Sequence, residues 1–419
     1  MTLAYVTTPL IGLVDTAVVG QLGNAALIGG LAAGAIVFDL VFSTFNSLRS
    51  ATTGLVAQAF GRGDDVGQQV TFIRAAMLAL CIGIVIAALG PYISLAGQKF
   101  MGAEQDVNLA LDEYVRIRCL SAPFALVNYA ILGYVLGRGE GTLGLMLQLM
   151  LNVTNIVMSV ALGLYLEWGV AGVAWGTVTA EFGAMFLGLW VLHARFQKLP
   201  AVDWPQVRNA AAIRAMLALN GDIIIRSFCL LTSFALFARS GAALGTTTLA
   251  ANAVLMHLFL VSAFFLDGFA TAAEQLAGRA IGARAKNSFS RAVRLTGIWG
   301  FAMAFVCAAF FMVFGEAVVQ SITTSPEVQN EALKYLPWAA FTALSGVLAF
   351  QMDGVFIGAT WSRDMRNMMI IALAVFLACL WILPASFGNS GLWAALHIFL
   401  FVRGLTLLFI LKVRVREIH

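Results

Sequence analysis

Pro9-Leu10-Ile11-Gly12-Leu13-Val14-Asp15-Thr16-Ala17-Val18-Val19-Gly20 sets a proline and a carboxylate inside the first apolar segment of the chain. A carboxylate in hydrocarbon costs at least about 2.5–3.5 kcal/mol, so an acid kept there marks a functional site by default. Proline removes a backbone donor and kinks a helix, so this segment is expected to bend at Pro9. The plainer reading is an acid held in a salt bridge or by backbone groups. The choice matters only if the segment spans a membrane, which the rest of the chain decides.

Of the 419 residues, 61% are hydrophobic and 11% charged, whereas soluble domains carry about 25% charged residues. That balance excludes a soluble enzyme and leaves an all-α polytopic membrane protein. Cys81, Cys119, Cys229, Cys307 and Cys379 are far apart in apolar segments. They read as packing residues, with no disulfide framework or metal site. No HExxH, Walker A or dinucleotide fingerprint is present, so no cofactor and no enzymatic centre are expected. The N-terminal stretch lacks a basic start and a small-residue cleavage site, so no signal peptide is expected.

Apolar runs of spanning length, punctuated by Gly, Pro and charge, predict twelve helices at 2–19, 29–59, 71–96, 107–136, 142–165, 169–194, 210–238, 246–276, 288–315, 328–358, 365–386 and 390–412. The longest loop, His193 to Ala210, divides them six and six, giving lobes at 1–200 and 201–419. Placing both termini in the cytoplasm puts 17 Lys and Arg on that side, among them Arg62, Arg138, Arg195, Lys198, Arg284 and Arg414. Five fall outside (Lys99, Arg116, Arg118, Arg239, Lys334), and Arg49, Arg226 and Arg403 lie within helices. Basic residues in short loops set topology, so this orientation is the expected one.

The halves repeat. Gln58-Ala59-Phe60-Gly61-Arg62 returns as Gln275-Leu276-Ala277-Gly278-Arg279, with Phe72, Arg74 and Ala75 falling on Phe289, Arg291 and Ala292. Tyr114, Gly133 and Gly137 fall on Tyr335, Gly354 and Gly358, and Gly172-Val173 on Gly391-Leu392. Six crossings return the chain to its starting side, so the repeats are parallel, about an axis along the membrane normal. Two such lobes are expected to flank a central cleft, the arrangement of alternating-access transporters.

Polar groups at membrane depth are the candidate machinery. Asn152, Asn155 and Ser159 share one helix face, as do Thr177 and Glu181. Asp15, Asp39 and Asn128 complete the first-lobe set. A carboxylate among amides and hydroxyls can exchange a proton or hold a small cation, and residue types alone leave proton and sodium open. Interhelical hydrogen bonding, at about 0.6 kcal/mol per contact, is the bland reading of the amides and hydroxyls. In the second lobe Asp222 and Arg226, at i and i+4, are expected to form an internal ion pair. Asp267, Glu274 and Asp353 are further candidates, and His257 and His397 are lone histidines with no metal partner.

The run Gly12–Gly20 resembles the first-helix motif of multidrug and toxic compound extrusion (MATE) transporters. Leu48-Arg49-Ser50-Ala51-Thr52-Thr53-Gly54-Leu55, Asn220-Gly221-Asp222-Ile223-Ile224-Ile225-Arg226-Ser227, Asn252–Met256, Leu266–Ala270 and Asp353–Thr360 resemble the DNA-damage-inducible F (DinF) branch of that family. The likeness runs through the whole chain in order. It implies a secondary antiporter that exports small amphipathic, often cationic, organic compounds in exchange for protons or sodium. It also implies ion coupling at the residues matched by Asp15, Asn155 and Thr177, with Asn128 beside them, and a sodium-linked acid in another branch at the place of Asp353. Ser159 stands where relatives often carry a second acid; one carboxylate fewer weakens a sodium site, which favours protons. A flippase for lipid-linked precursors is the alternative, though it would be expected to line its cleft with more basic residues. The expected setting is the cell inner membrane, with the lipid bilayer and small organic substrates as partners, no nucleic acid, and a monomeric state.

Overall fold

The computed structural model describes residue 12, residues 14–21 and residues 24–417, which are helical throughout apart from short turns. Pro9 and the bend expected there lie outside the described residues. In chain order the helices are α1 (14–20), α2 (Ala25–Phe45), α3 (Ser47–Gly61), α4 (Asp65–Met101), α5 (Gln105–Leu120), α6 (Ala122–Gly137), α7 (Gly141–Val160), α8 (Gly169–Phe196), α9 (Trp204–Val207), α10 (Ala210–Ala243), α11 (Thr246–Gly282), α12 (Lys286–Ile322), α13 (Pro326–Gly358) and α14 (Ser362–Arg414). Among the described residues nine helices are long and apolar enough to cross a membrane, and the pair α5–α6, bent by 50° around Ser121 and Pro123, makes a tenth. The last of the nine holds two crossings merged across Gly388, whose φ of 56° and ψ of −135° interrupt α14. With α1 as the described part of the first, these are the twelve crossings expected from the apolar runs.

Local chemistry sets the ends. The Asn24 side chain accepts from the Ala26 amide and starts α2, and Asp64 accepts from Gly67 N at 2.7 Å to start α4. Gly102, left-handed at φ 59°, stops α4. The helices therefore run several residues beyond the apolar stretches, into polar caps.

The repeat has a tighter register than the motif matches suggest. Helix ends at 61, 101 and 137 return at 282, 322 and 358, and starts at 25, 65, 105 and 141 return at 246, 286, 326 and 362, each 221 residues on. The left-handed turn residues follow suit: Gly63 (φ 69°) returns as Arg284 (φ 51°) and Gly139 (φ 77°) as Thr360 (φ 57°). Matching Gln58 to Gln275 is thus one helical turn short. A four-residue slip keeps the same helix face, so residue types along a single helix do not expose it.

Glycines hold each lobe together at equivalent points. A Cβ at Gly133 would meet the Arg49 carbonyl oxygen at 2.6 Å, and one at Gly137 the Thr53 oxygen at 2.7 Å, so α6 lies directly on the α3 backbone. Gly354 and Gly358 of α13 leave no room for a Cβ against the carbonyls of Ala270 and Glu274 in α11. Apolar side chains gain little by leaving lipid for one another, so close backbone approach carries much of the helix association.

The two compact units divide between Leu217 and Ala218, later than the expected 200/201 boundary. Gln69 donates to Pro200 O at 3.4 Å and Arg74 Nε to Val207 O at 3.1 Å, which ties the connecting loop and α9 to α4. Val207 is buried, and Met216 joins the first lobe's apolar core.

In the α6–α7 turn, Glu140 receives Arg138 Nε at 2.9 Å and Arg195 Nη2 at 2.7 Å. Burial pushes its carboxyl up, but hydrogen bonds from Arg195 and Arg138 outweigh that and hold it below the ordinary 4.5. A carboxylate depressed by folding adds stability that is present above its unfolded pKa and is lost as pH falls through the folded value. Thermal unfolding in detergent should therefore drop more steeply below pH 4.5 in the wild type than in Glu140→Gln. Separately, Gly354→Leu should lower thermal stability by more than the roughly 1–3 kcal/mol typical of overpacking, because backbone blocks relaxation. Gly221→Ala, at a position with nothing within 4 Å, should leave it nearly unchanged.

Candidate functional site

The described buried face of α7 is polar. Asn152, Asn155 and Ser159 are buried with Gly144, while Met146, Val153 and Val157 are exposed on the other side. A soluble helix does the reverse; in lipid, polar groups turn inward because hydrocarbon offers them no partner. Just past Ser159 the helix widens into a π turn, Ala161–Tyr165, and then breaks at Gly169. Such single-turn π segments recur at functional sites.

Glycines bring α8 onto this face. A Cβ at Gly172 would meet the Leu162 carbonyl at 2.6 Å, and one at Gly176 the Ser159 amide nitrogen at 2.7 Å. The approach places Thr177 beside Asn155, whose Nδ2 donates to Thr177 Oγ1 at 2.7 Å. One turn further on α8 is Glu181. From α1, Val18 packs against Gly163 of the π turn. Asp15, one turn earlier and 7% exposed, has Ser159 within reach and feels the charge of Arg118. Asp15 Oδ1, Asn155 Oδ1 and Ser159 Oγ are buried without a hydrogen-bond partner among the described residues. Buried oxygens with spare bonding capacity are candidates to receive a proton or a small cation.

Asn128 lies further along the lobe, donating to the Glu181 backbone carbonyl at 2.8 Å. Asp39 is exposed on α2, and Arg118 is the charge that bears on it.

Arg118 corrects the charge count. It was expected on the outer side, yet it is 6% exposed, and its Nη1 donates to Glu181 Oε1 at 3.1 Å and Ser121 Oγ at 3.0 Å. The signal was available: Arg118 falls inside the expected 107–136 span, one turn after Tyr114, and both are buried on one face of α5.

In the second lobe the expected Asp222–Arg226 pair does not form. Asp222 instead receives Arg366 Nη1 at 2.6 Å and Ser362 Oγ at 2.7 Å. Arg226 donates to Asp353, which also receives Arg403. Spacing along one helix allowed the pair, but charge-assisted bonds to neighbouring helices are stronger than an i,i+4 contact. Asp353, a candidate for sodium coupling, thus gives its Oδ2 to two arginines, while its Oδ1 is buried without a hydrogen-bond partner among the described residues. The charge of Asp267, half-buried, reaches Arg403, and Glu274 is buried on the same helix. Asn252 and Asn389 bond reciprocally at 2.7 and 3.0 Å, with Trp393 Nε1 donating to Asn252 at 2.9 Å. His397 lies between Ser345 Oγ (2.8 Å) and Trp338 O (3.0 Å), and His257 is exposed.

The polar set is not duplicated. The positions 221 residues beyond Asp15, Arg118, Asn155 and Ser159 are Leu236, Ala339, Phe376 and Leu380. After the breaks at Gly169 and Gly388 the register is 219, so Thr177 and Glu181 fall on Leu396 and Leu400.

The family model MatE matches residues 1–161 and again 223–382, once in each lobe. The chain belongs to the MatE family. It is 37% identical over 414 residues to DNA damage-inducible protein F of Escherichia coli K12, covering 97% of this chain and 89% of that protein. It is 24% identical over 452 residues to the probable multidrug resistance protein NorM of Neisseria meningitidis serogroup B, covering 100% and 93%. Among solved structures it superposes on a MOP superfamily transporter from Pyrococcus furiosus with TM-score 0.90 at 17% identity, covering 100% and 94%. An outward-facing multidrug resistance MATE family transporter gives 0.91, also at 17%. This MatE chain is thus a multi-pass membrane transporter of the multidrug-efflux class, handling small molecules, and not an enzyme.

A double-mutant cycle tests the repaired pairing in the second lobe. Asp222→Asn and Arg366→Gln should each lower thermal stability in detergent, and together they should cost less than the sum by about 1 kcal/mol or more. Asp222→Asn combined with Arg226→Gln should be close to additive.

Proposed function

We propose that this chain exports small amphipathic organic cations in exchange for protons by alternating access, with Asp15 as the proton carrier. The observation that carries the reading is the buried Asp15 carboxylate, its Oδ1 unpartnered among the described residues and set among amide and hydroxyl groups rather than arginines, with Leu236 at the corresponding place in the second lobe. Protonation and deprotonation of such a group change its hydrogen bonding, which can bias a lobe between two arrangements. Ser159, in place of a second acid, supports protons over sodium, since hard cations favour charged oxygens. Asn155 and Thr177 orient the site, and Asn128 holds α6 to α8 beside it. The distribution of Lys and Arg supports cytoplasmic termini, with the protein a monomer in the inner membrane. A flippase is disfavoured: of the deep arginines Arg49, Arg118, Arg226 and Arg403, the last three each face a carboxylate and are not open to a pyrophosphate.

Asp15→Asn keeps the side chain's size but cannot ionise. It should fold and insert normally, yet reduce efflux driven by an imposed proton gradient in proteoliposomes to the protein-free background. Wild-type rates in that variant would refute the assignment, and efflux responding only to a sodium gradient would overturn the choice of ion.

A further inference from the structure

Helix α4 and its copy α12 begin with different charge. Residues 62–74 carry Arg62, Asp64, Asp65 and Arg74, which balance. The matching stretch 221 residues on, 283–295, carries Arg284, Lys286, Arg291 and Arg294 and no acid. All four are exposed, and none is in an ion pair among the described residues. Arg363 joins them. The rings of Phe289 and Trp361 meet at 5.8 Å, which sets the first turn of α12 against the α13–α14 turn, where Arg363 is exposed. The acids at that turn, Asp364 and Asp222, are already bonded to Arg414 and Arg366.

In the first lobe the equivalent face is covered. The bonds from Gln69 to Pro200 O and from Arg74 to Val207 O lay the connecting loop and α9 over it, and Val70 is buried there. The counterparts of Gln69, Val70, Ile73 and Arg74 are Ser290, Arg291, Arg294 and Leu295, all exposed. Val70 and Ile73 thus give way to arginines on a face that no described segment covers.

That face is graded along the helix. Arg291, Arg294, Leu295 and Ile298 fall on one side at i, i+3, i+4 and i+7, and the same side continues through Phe305 and Val313. Every one of these residues is exposed, so two turns of cation lead directly into a stripe of hydrocarbon. Trp299 lies beside the junction, about 7.5 Å along the helix from Arg294. An aromatic at such a junction marks the border of the bilayer. A phospholipid has the matching grading, a phosphate head above acyl chains. Anionic lipids attract basic segments at the membrane surface, and arginine presents a fork of donors to phosphate.

We propose that the start of α12 is a docking surface for an anionic phospholipid, with its phosphate on Arg291 and Arg294 and its chains along Leu295 and Ile298. Arg284, Lys286 and Arg363 supply the surrounding positive field. The lipid covers on α12 the face that the connecting loop covers on α4. A soluble anion would leave the apolar stripe unused. The proposed orientation makes the cytoplasmic leaflet the source of this lipid, but binding depends neither on that orientation nor on proton exchange.

The test mixes purified protein in neutral detergent with equal amounts of dioleoylphosphatidylglycerol and dioleoylphosphatidylcholine and counts retained lipid by native mass spectrometry. The wild type should retain phosphatidylglycerol in preference, and less of it as salt rises. Arg291→Gln with Arg294→Gln should weaken that retention about fivefold for each charge removed. Arg291→Lys with Arg294→Lys, which keeps both charges, should preserve most of it. Arg62→Gln with Lys198→Gln removes two exposed cations from elsewhere in the chain and should leave it unchanged. Glycerol phosphate, a head group without chains, should not displace the lipid at equal concentration. Equal retention of the two lipids by the wild type would overturn the proposal, as would equal losses from the two glutamine pairs. Displacement by glycerol phosphate would overturn it in favour of a plain anion site.

Discussion

Lipid gives a helix no reason to bury an apolar side chain, and that constraint shapes each lobe. What remains to hold helices together is close backbone contact and internally satisfied polarity. Gly133 and Gly137 supply the first in one lobe, and Gly354 and Gly358 at the same places in the other. Gly172 and Gly391 make the second such seam, each against a carbonyl of the preceding helix. The inward-facing amides of α7 supply the polarity, and they fall where the glycines draw α8 in.

The helices were legible because apolar length and polar caps are local properties. Duplication was legible too, since the Tyr114, Gly133 and Gly137 matches share the 221-residue register of the helix ends. The Gln58 match slipped by a turn because a helix face looks the same four residues along. The polar face of α7 could be read from the spacing of Asn155 and Ser159, and its meeting with Thr177 from a family resemblance. What could not be read was which neighbour each charge would find. Asp222 and Arg226 share a helix face yet bond to different helices, a choice made by packing. Arg118 was hidden by a rule about loops applied to a residue inside a bent crossing.

Duplication also shows what is spared from structural duty. Two copies of one scaffold pack alike while their buried polar groups sit at unrelated positions. Asp353, Arg226 and Arg403 tie three crossings in the second lobe, whereas Asp15, Arg118 and Glu181 occupy places that the second copy fills with Leu236, Ala339 and Leu400. Because the second copy packs with hydrocarbon at those places, the shared scaffold alone does not account for these groups.

Confinement of the Asp15 cluster to a single lobe has an electrical corollary. Under the proposed exchange, a carrier with one such station would trade one proton for one guest per cycle. For a singly charged guest under the proposed exchange, no net charge crosses the bilayer, and membrane voltage drops out of the driving force. The pH difference alone then sets how steep a gradient the pump sustains. A doubly charged guest would move one net charge outward in each turn and, in a cell negative inside, would be held back by the resting potential.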